Sequence, residues 1–387
     1  MKKSREKNSI VVLIAIFVIA IAMRAPMGGI GPLIGKIQSD LALTSSRAGF
    51  ITTLPLLSFA LASPIAGIVI VKIGCRRIIP LSLLAIIIGV VLRSNFSSFG
   101  MFFGTAIIGI GTGFLNIGIP TFIKQFFPSR IGFVMGVYSI SLTFASALTA
   151  AIIQPLEALF SSWQYALVSL SIPALLALFL SFVSISNMKE EGMIKNSSTQ
   201  KSSILSFRNI SIAIYMGLQS LLFFSLLTWY PTMMKEQYSI DGNVGMLITI
   251  MQIASLLPAY LTPVLSERFS PGKLASCFAF LFAPGILISG FGHSGFALIL
   301  GTILQGLAVG ATFSMAVTLC AMNGKDASET ARITSFGQCF GYILASLGPS
   351  GFGKIYDALG SWNSIYILMA ILALLMASFG YFAGRKL

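Results

Sequence analysis

The sequence predicts an all-α membrane protein, with twelve transmembrane helices in two pseudo-symmetric bundles of six. Three observations carry that expectation. Only 9% of the residues are charged while 56% are hydrophobic, and a soluble surface needs about a quarter of its residues charged. Twelve apolar segments follow one another, each near or above the roughly 20 residues that cross a bilayer. They divide six and six around one long polar stretch, and short features before it recur after it at an offset of about 196 residues.

The segments run approximately over 10–35, 46–71, 78–96, 99–123, 131–155, 163–187, 209–234, 243–265, 273–292, 296–322, 332–352 and 362–383. The first follows the basic lead MKKSREKNS and is too long for a cleavable signal, with no small-residue cleavage site at its end. A basic turn, Gly67 to Arg77, joins the second and third; its counterpart, Pro263 to Lys273, follows the eighth. The fourth carries Gly109-xxx-Gly113 and the tenth Gly306-xxx-Gly310. The fifth carries Gly132-xxx-Gly136 and the eleventh Gly337-xxx-Gly341. Small residues four apart let helix backbones approach closely. The sixth and seventh segments flank Lys189–Arg208, rich in Ser, Lys and Asn, which reads as a cytoplasmic linker. The expected domains are therefore 1–188, a linker over 189–208, and 209–387.

Charge sets the orientation. One side collects 19 of the 25 Lys and Arg residues, including the N-terminal cluster, Arg76, Arg77, Arg268, the linker and Arg385. The other side has Lys36, Arg47, Arg93, Lys235 and Lys354, and Arg24 falls inside the membrane. Both termini and the linker are expected in the cytoplasm, with the chain multi-pass in the cytoplasmic (inner) membrane. A net charge of +14 distributed over short loops points to anionic lipid headgroups, not to nucleic acid. Cys75, Cys277, Cys320 and Cys339 are scattered without a CxxC, so neither a disulfide framework nor a metal site is indicated.

Six plus six segments, a central cytoplasmic loop and a basic turn after the second and eighth resemble the major facilitator superfamily. The turn residues that the resemblance assigns to the cytoplasmic gate are Gly74, Arg76 and Arg77, with Glu267 and Arg268 in the second half. Val71 stands where that family usually has Asp, so the charge pairing is expected to be one-sided. The blocks Met23–Ile37, Ala48–Pro64, Val90–Ser94, Gly118–Pro128, Met216–Met234 and Gly337–Trp362 are similar to the cyanate-permease and 2-nitroimidazole-transporter family. The family's Asn-Leu-Arg-Pro appears here as Ala22-Met23-Arg24-Ala25, with Pro26 one place late, and Phe224 stands where Tyr is common.

The chemistry centres on Arg24. At 1.5 Å per residue it sits about 21 Å from Ile10, near or beyond the midplane. An intramembrane guanidinium is costly unless it faces water or an opposite charge. None of the eleven acidic residues is expected mid-helix, and His293 reads as a loop residue. The planar fork suits Arg24 to a carboxylate-like or other delocalised anion. The alternative is an arginine held by backbone carbonyls freed near Pro26 and the Gly28-Gly29 pair, serving packing alone. Adding the repeat offset to Arg24 lands near Ser220, beside Gln219, which is expected to face it. Gln338 and Tyr342 share a helix face, and Asn116 and Tyr138 add polar groups at similar depth. Phe224, Trp229 and Phe313 would line this pocket. Each polar residue could instead make an interhelical hydrogen bond, and each aromatic could be packing. Arg93 reads as an end residue whose charge snorkels to the interface, and Trp229 and Trp362 as members of an aromatic belt.

The function these residues suggest is secondary active transport of a small, cyanate-like organic or inorganic anion by alternating access, by a monomer without cofactors. No helix offers an Asp, Glu or His to relay a proton, and electrogenic anion entry opposes a negative-inside potential by about 2.3 kcal/mol per 100 mV. Exchange, or entry with a proton on the substrate, avoids that cost. The alternative is efflux of small heteroaromatic or drug-like compounds such as nitroimidazoles. Against it, the fifth segment lacks the Gly-Pro-rich motif frequent in exporters. A membrane enzyme would want His, Cys or carboxylate clusters, and a sensor a soluble output domain; neither is visible.

Overall fold

A computed structural model describes residues 2–43, 45–95, 97–185, 205–238 and 245–385. The chain there is almost wholly helical. α1 (Lys2–Gly28), a 3-10 turn (Gly31–Leu33) and α2 (Ile34–Asp40) make the first segment, followed by α3 (Ser45–Ile73), α4 (Cys75–Arg93), α5 (Ser98–Phe126) and α6 (Ile131–Phe160). α7 (Trp163–Ser169) and α8 (Ile172–Leu180) form the sixth segment, running into a π-helical turn over Ser181–Ile185. The second half holds α9 (Phe207–Tyr238), α10 (Gly245–Leu265), α11 (Pro271–Phe280), α12 (Phe282–Phe291), α13 (Gly295–Asn323), α14 (Ala327–Leu359) and α15 (Asn363–Ala383). Residues 189–204 of the expected linker lie outside the described residues.

Among the described residues, eleven helical spans are long and apolar enough to cross a membrane. α14 occupies the place of the eleventh segment and is not among them; Thr334, Ser335, Gln338 and Ser346 interrupt its apolar run. Large apolar side chains such as Leu61, Leu159 and Phe296 remain about three-quarters exposed, as expected where lipid is the solvent and every backbone group is satisfied inside its helix.

Local chemistry explains several boundaries. Gly74 takes φ 83°, a left-handed backbone that lets α3 turn into α4 through a single residue. Ser97 caps α5 by accepting from the Gly100 N–H. Asp326 and Glu329 form a capping box at the start of α14: Asp326 accepts from Glu329 N–H at 2.7 Å, and Glu329 from Lys325 N–H at 2.7 Å. The first segment departs from the single helix expected over 10–35. It breaks after Gly28, because Pro32 lacks an amide hydrogen and Gly28–Gly29 pass hard against Ser146, Thr149, Ile153 and Leu170.

The chain divides into two compact units that interleave in sequence. Unit 1 comprises residues 1–128, 137–201 and 324–335; unit 2 comprises 129–136, 202–323 and 336–387. α6 and α14 therefore change unit along their length. Within unit 1, Gly109 and Gly113 of α5 pass against Pro55, Ser58, Phe59 and Ala62 of α3. Within unit 2, Gly306 and Gly310 of α13 pass against Met251, Ala254 and Ser255 of α10, the same crossing about 197 residues later. A second crossing repeats too: Gly89 against Gly104 in unit 1, Gly285 against Gly301 in unit 2. The fifth-segment motif behaves differently. Gly132 and Gly136 face Pro263, Glu267 and Tyr260 of unit 2, whereas Gly337 and Gly341 face Met216 and Gly217. Glycines expected to correspond thus serve different contacts, because Ala331 and Ser335 at Gly67 occupy the place the offset assigns.

Each unit ties off its first segment in the same manner. In unit 1 the Trp163 indole N–H donates to Asp40 Oδ2 at 2.7 Å, and Lys36 pairs with Glu157 at the end of α6. In unit 2 the Trp362 indole donates to Glu236 Oε2 at 2.8 Å, and Tyr356 of α14 donates to the same carboxylate at 3.0 Å. The carboxylates stand about 196 residues apart and the tryptophans about 199. Trp163→Phe is expected to cost about 1–2 kcal/mol, the range of a hydrogen bond to a charged group at a partly solvated site. Thermal unfolding of purified protein should show it as a melting temperature lower by about 2–4 °C, with Asp40→Asn, which keeps an acceptor, losing less.

Candidate functional site

Three of the residues expected to bind substrate, Arg24, Asn116 and Tyr138, fall within unit 1. Arg24 is half-buried in the last turns of α1, on a stripe with Ile10, Ile14, Phe17 and Ile21 that is exposed or half-exposed along its length. Met23, the preceding residue, is fully buried. Its sulfur lies 3.8 Å from the Tyr138 hydroxyl, which also approaches Asn116 Oδ1 at 3.4 Å. α1, α5 and α6 therefore meet at Met23, Asn116 and Tyr138, with Arg24 one residue along. Tyr138 is 1% and Asn116 5% exposed, so these polar groups sit well inside the helix packing.

Unit 2 holds the others. Gln219 of α9 and Gln338 of α14 are each 1% exposed, and Tyr342 follows Gln338 one turn later. α9 and α14 approach closely here: a side chain on Gly217 would meet Leu344, and Gly341 lies against Met216 and Gly217. The Gln219 amide oxygen accepts from Ser220 Oγ at 3.2 Å. Phe224 is half-buried and packs edge-on to Phe223, ring centroids 5.1 Å apart. Trp229 stands apart from these groups. Its indole donates to the Pro349 carbonyl at 2.8 Å, its ring fills the space over Gly353, and it lies 5.5 Å from Trp362. Trp362, 5% exposed and stacked on Tyr356, corrects the expectation of an aromatic belt: these rings are packed into the protein because Glu236 and Pro349 offer acceptors there.

The turn residues divide by half. Gly74 is buried, Arg76 half-exposed and Arg77 exposed. In unit 2, Glu267 Oε1 accepts from the Phe133 N–H at 2.9 Å, so its carboxylate sits at the amino end of α6, where orphan amides and the helix dipole favour negative charge. Arg268 borders a cleft of about 460 Å³ shared with Lys273 and Arg385. Within unit 1, Ser335 Oγ donates to the Ser63 carbonyl beside Gly67.

Arg93 is the residue that sequence reasoning misplaced. It is 1% exposed and does not snorkel. On α4 the lipid-side stripe is Leu81, Leu84, Ile88 and Val91, all exposed, and Arg93 lies on the opposite face with Ser82, Ile86 and Gly89. That small-residue face was the available signal. Arg93 Nη1 donates to the Pro26 carbonyl at 2.6 Å, so the carbonyl freed near Pro26 is taken by Arg93.

A chain that crosses a membrane as paired sets of helices, repeats its glycine crossings half a length apart and keeps an arginine within a span has the build of a secondary transporter. The Major Facilitator Superfamily model matches residues 12–264 and 212–386, and the chain belongs to that family: it is a multi-pass membrane transporter of the major facilitator fold. It is 34% identical to the "2-nitroimidazole transporter" of Escherichia coli (strain K12), over 98% of this chain and 96% of the relative. To the "Cyanate transport protein CynX" of the same organism it is 24% identical, over 90% and 91% of the two chains. Among solved structures, the proton:xylose symporter XylE bound to 6-bromo-6-deoxy-D-glucose superposes with a TM-score of 0.78 over 98% of this chain and 95% of that one. At 14% identity that likeness speaks for the fold alone.

Proposed function

We propose that the protein carries a small organic or inorganic anion of the cyanate type by alternating access, with Arg24 as the group that binds its charge. The observation behind this reading is a permanent cation within the first span, on the open stripe of α1 and one residue from the Met23–Asn116–Tyr138 meeting point. Arginine stays ionised and presents two parallel N–H groups, which suits a flat, delocalised anion better than a lysine would. The similarity to a protein named for cyanate transport supports the substrate class. Gln219, which the repeat arithmetic pairs with Arg24, is proposed to contact substrate together with Asn116, Tyr138, Gln338, Tyr342, Phe224 and Trp229. The charge count supports a reading with both termini in the cytoplasm and the chain in the cytoplasmic membrane; the two halves are proposed to divide at residues 189–208, with the monomer as the working unit. Exchange, or entry with a substrate-borne proton, would drive it.

A second reading is transport of small heteroaromatic compounds, favoured by the higher identity to the 2-nitroimidazole transporter. The two separate in a thermal-shift screen of purified protein against cyanate, formate, benzoate, imidazole and 2-nitroimidazole. A ligand at 100 times its Kd stabilises by about 2.7 kcal/mol. The anions are expected to raise the melting temperature of wild type and not of Arg24→Gln. Stabilisation by the neutral heterocycles alone, surviving in Arg24→Gln, would replace the first reading with the second.

A further inference from the structure

The buried guanidinium of Arg93 has no part in the reading above, and its surroundings pose a question of chemistry. Its Nη1 reaches across from α4 to the Pro26 carbonyl, but Nε and Nη2 are buried without a hydrogen-bond partner among the described residues. A buried charge with most of its donors unused is a poor way to stabilise a helix pair; an apolar side chain of like volume is often neutral or better.

Unit 2 shows that the fold does not require a cation there. The position about 196 residues on is Ser289, beside the same Gly–Gly crossing of Gly285 and Gly301. That place is filled by neutral groups. Gln305 Nε2 donates to Ser289 Oγ at 2.9 Å and to the Gly285 carbonyl at 3.2 Å, and Tyr238 donates to the Ser289 carbonyl at 3.0 Å. Only the repeat that carries Arg24 has an arginine at this crossing.

What Arg93 holds is also specific. α1 ends at Gly28, so its last carbonyls have no successor amides in the helix. Gly29 N–H bonds to Ala25 and Ile30 N–H bonds to Met27, and between them the Pro26 carbonyl goes to Arg93. A cation at the carboxyl end of a helix is also favoured by the helix dipole. Pro26 is two residues from Arg24.

We propose that Arg93 is a positioning residue for Arg24: by capping the break in α1 through the Pro26 carbonyl, it fixes the height and direction at which Arg24 is presented. This rests on the reading of Arg24 as the anion-binding group. The test uses the full-length protein with Arg93→Met, which keeps volume without donors, and Arg93→Lys, which keeps one charged donor. Arg93→Met is expected to purify folded with an unchanged melting temperature, to bind cyanate and benzoate at least tenfold more weakly, and to exchange the amide hydrogens of residues 27–30 faster. Arg93→Lys is expected to fall between it and wild type in both measures. Folded Arg93→Met with wild-type affinity and wild-type exchange, or Arg93→Lys no better than Arg93→Met, would overturn the proposal. If Arg93→Met is not recovered folded, Arg93→Lys decides alone: exchange and affinity both at the wild-type level overturn it, and a loss in both supports it. Failure of the anion reading is a separate result, seen as unchanged binding in Arg24→Gln, and the exchange measurement still reads the cap on α1.

Discussion

Arg24→Gln is expected to lower affinity for the transported anion by about 100-fold or more and to abolish uptake, while the protein inserts and purifies as before. Truncating one partner of a desolvated, hydrogen-bonded charge pair costs about 2–5 kcal/mol, and about 3 kcal/mol corresponds to roughly two orders of magnitude in Kd. Glutamine keeps most of the length and two donors but no charge, so the loss isolates the electrostatic part. Arg24→Lys restores the charge without the fork and is expected to recover binding only in part. Folding should survive because Arg24 is half-buried on the open stripe of α1, whereas the residues that pack that helix, among them Ile16, Ile19, Ala20 and Met23, are fully buried. Calorimetry on purified protein and uptake into vesicles read the two effects separately. Wild-type Kd and uptake in Arg24→Gln would remove Arg24 from the site.

Gly310→Ala is expected to be the most damaging single methyl added to the helix crossings. The new Cβ would fall on the Ser255 backbone, carbonyl included, which cannot swing aside as a side chain would. α13 must therefore shift away from α10, at or above the roughly 1–3 kcal/mol usual for overpacking. The repeat supplies its own control. At the corresponding Gly113, a Cβ meets the Ala62 side chain at 3.3 Å and Phe59 at 3.5 Å. Gly113→Ala is therefore expected within about 1 kcal/mol of wild type, since relief of glycine's poor helix propensity offsets the crowding. Comparing melting temperatures and the monodisperse fraction in detergent checks the contrast; equal behaviour of the two variants would contradict it.

Apolar length carried most of the fold, because a bilayer leaves a helical span few alternatives. Segment positions such as 131–155 and 362–383 match α6 and α15 in existence and start. Length alone could not show the break in α1: Pro32 and four nearby glycines were visible, but the pressure of Ser146 and Leu170 that bends the chain there is tertiary. The candidate site could be proposed from the sequence where a group is costly in its setting, as with the charge of Arg24 inside an apolar span. It was illegible where a plausible local habit existed. Arg93 looked like a snorkelling end residue until the face it shares with Ser82 and Gly89 was seen to be buried. Nothing local in the sequence showed that the Trp229 indole would reach the Pro349 carbonyl. The pairing of Asp40 with Trp163 spans 123 residues, and only the recurrence of carboxylate and tryptophan at nearly one offset hinted at it.

All three tryptophans of the chain, Trp163, Trp229 and Trp362, stand where the first segment of each repeat is tied off. The tryptophan emission of the protein therefore originates entirely at those ties. Trp163 reports from a buried apolar cluster with Leu33, Ile37 and Leu167. Trp229 and Trp362, with ring centroids 5.5 Å apart, form a coupled pair beside Tyr356. The molecule thus carries a label-free optical gauge, with one channel in each repeat, and Trp163→Phe leaves the second channel alone.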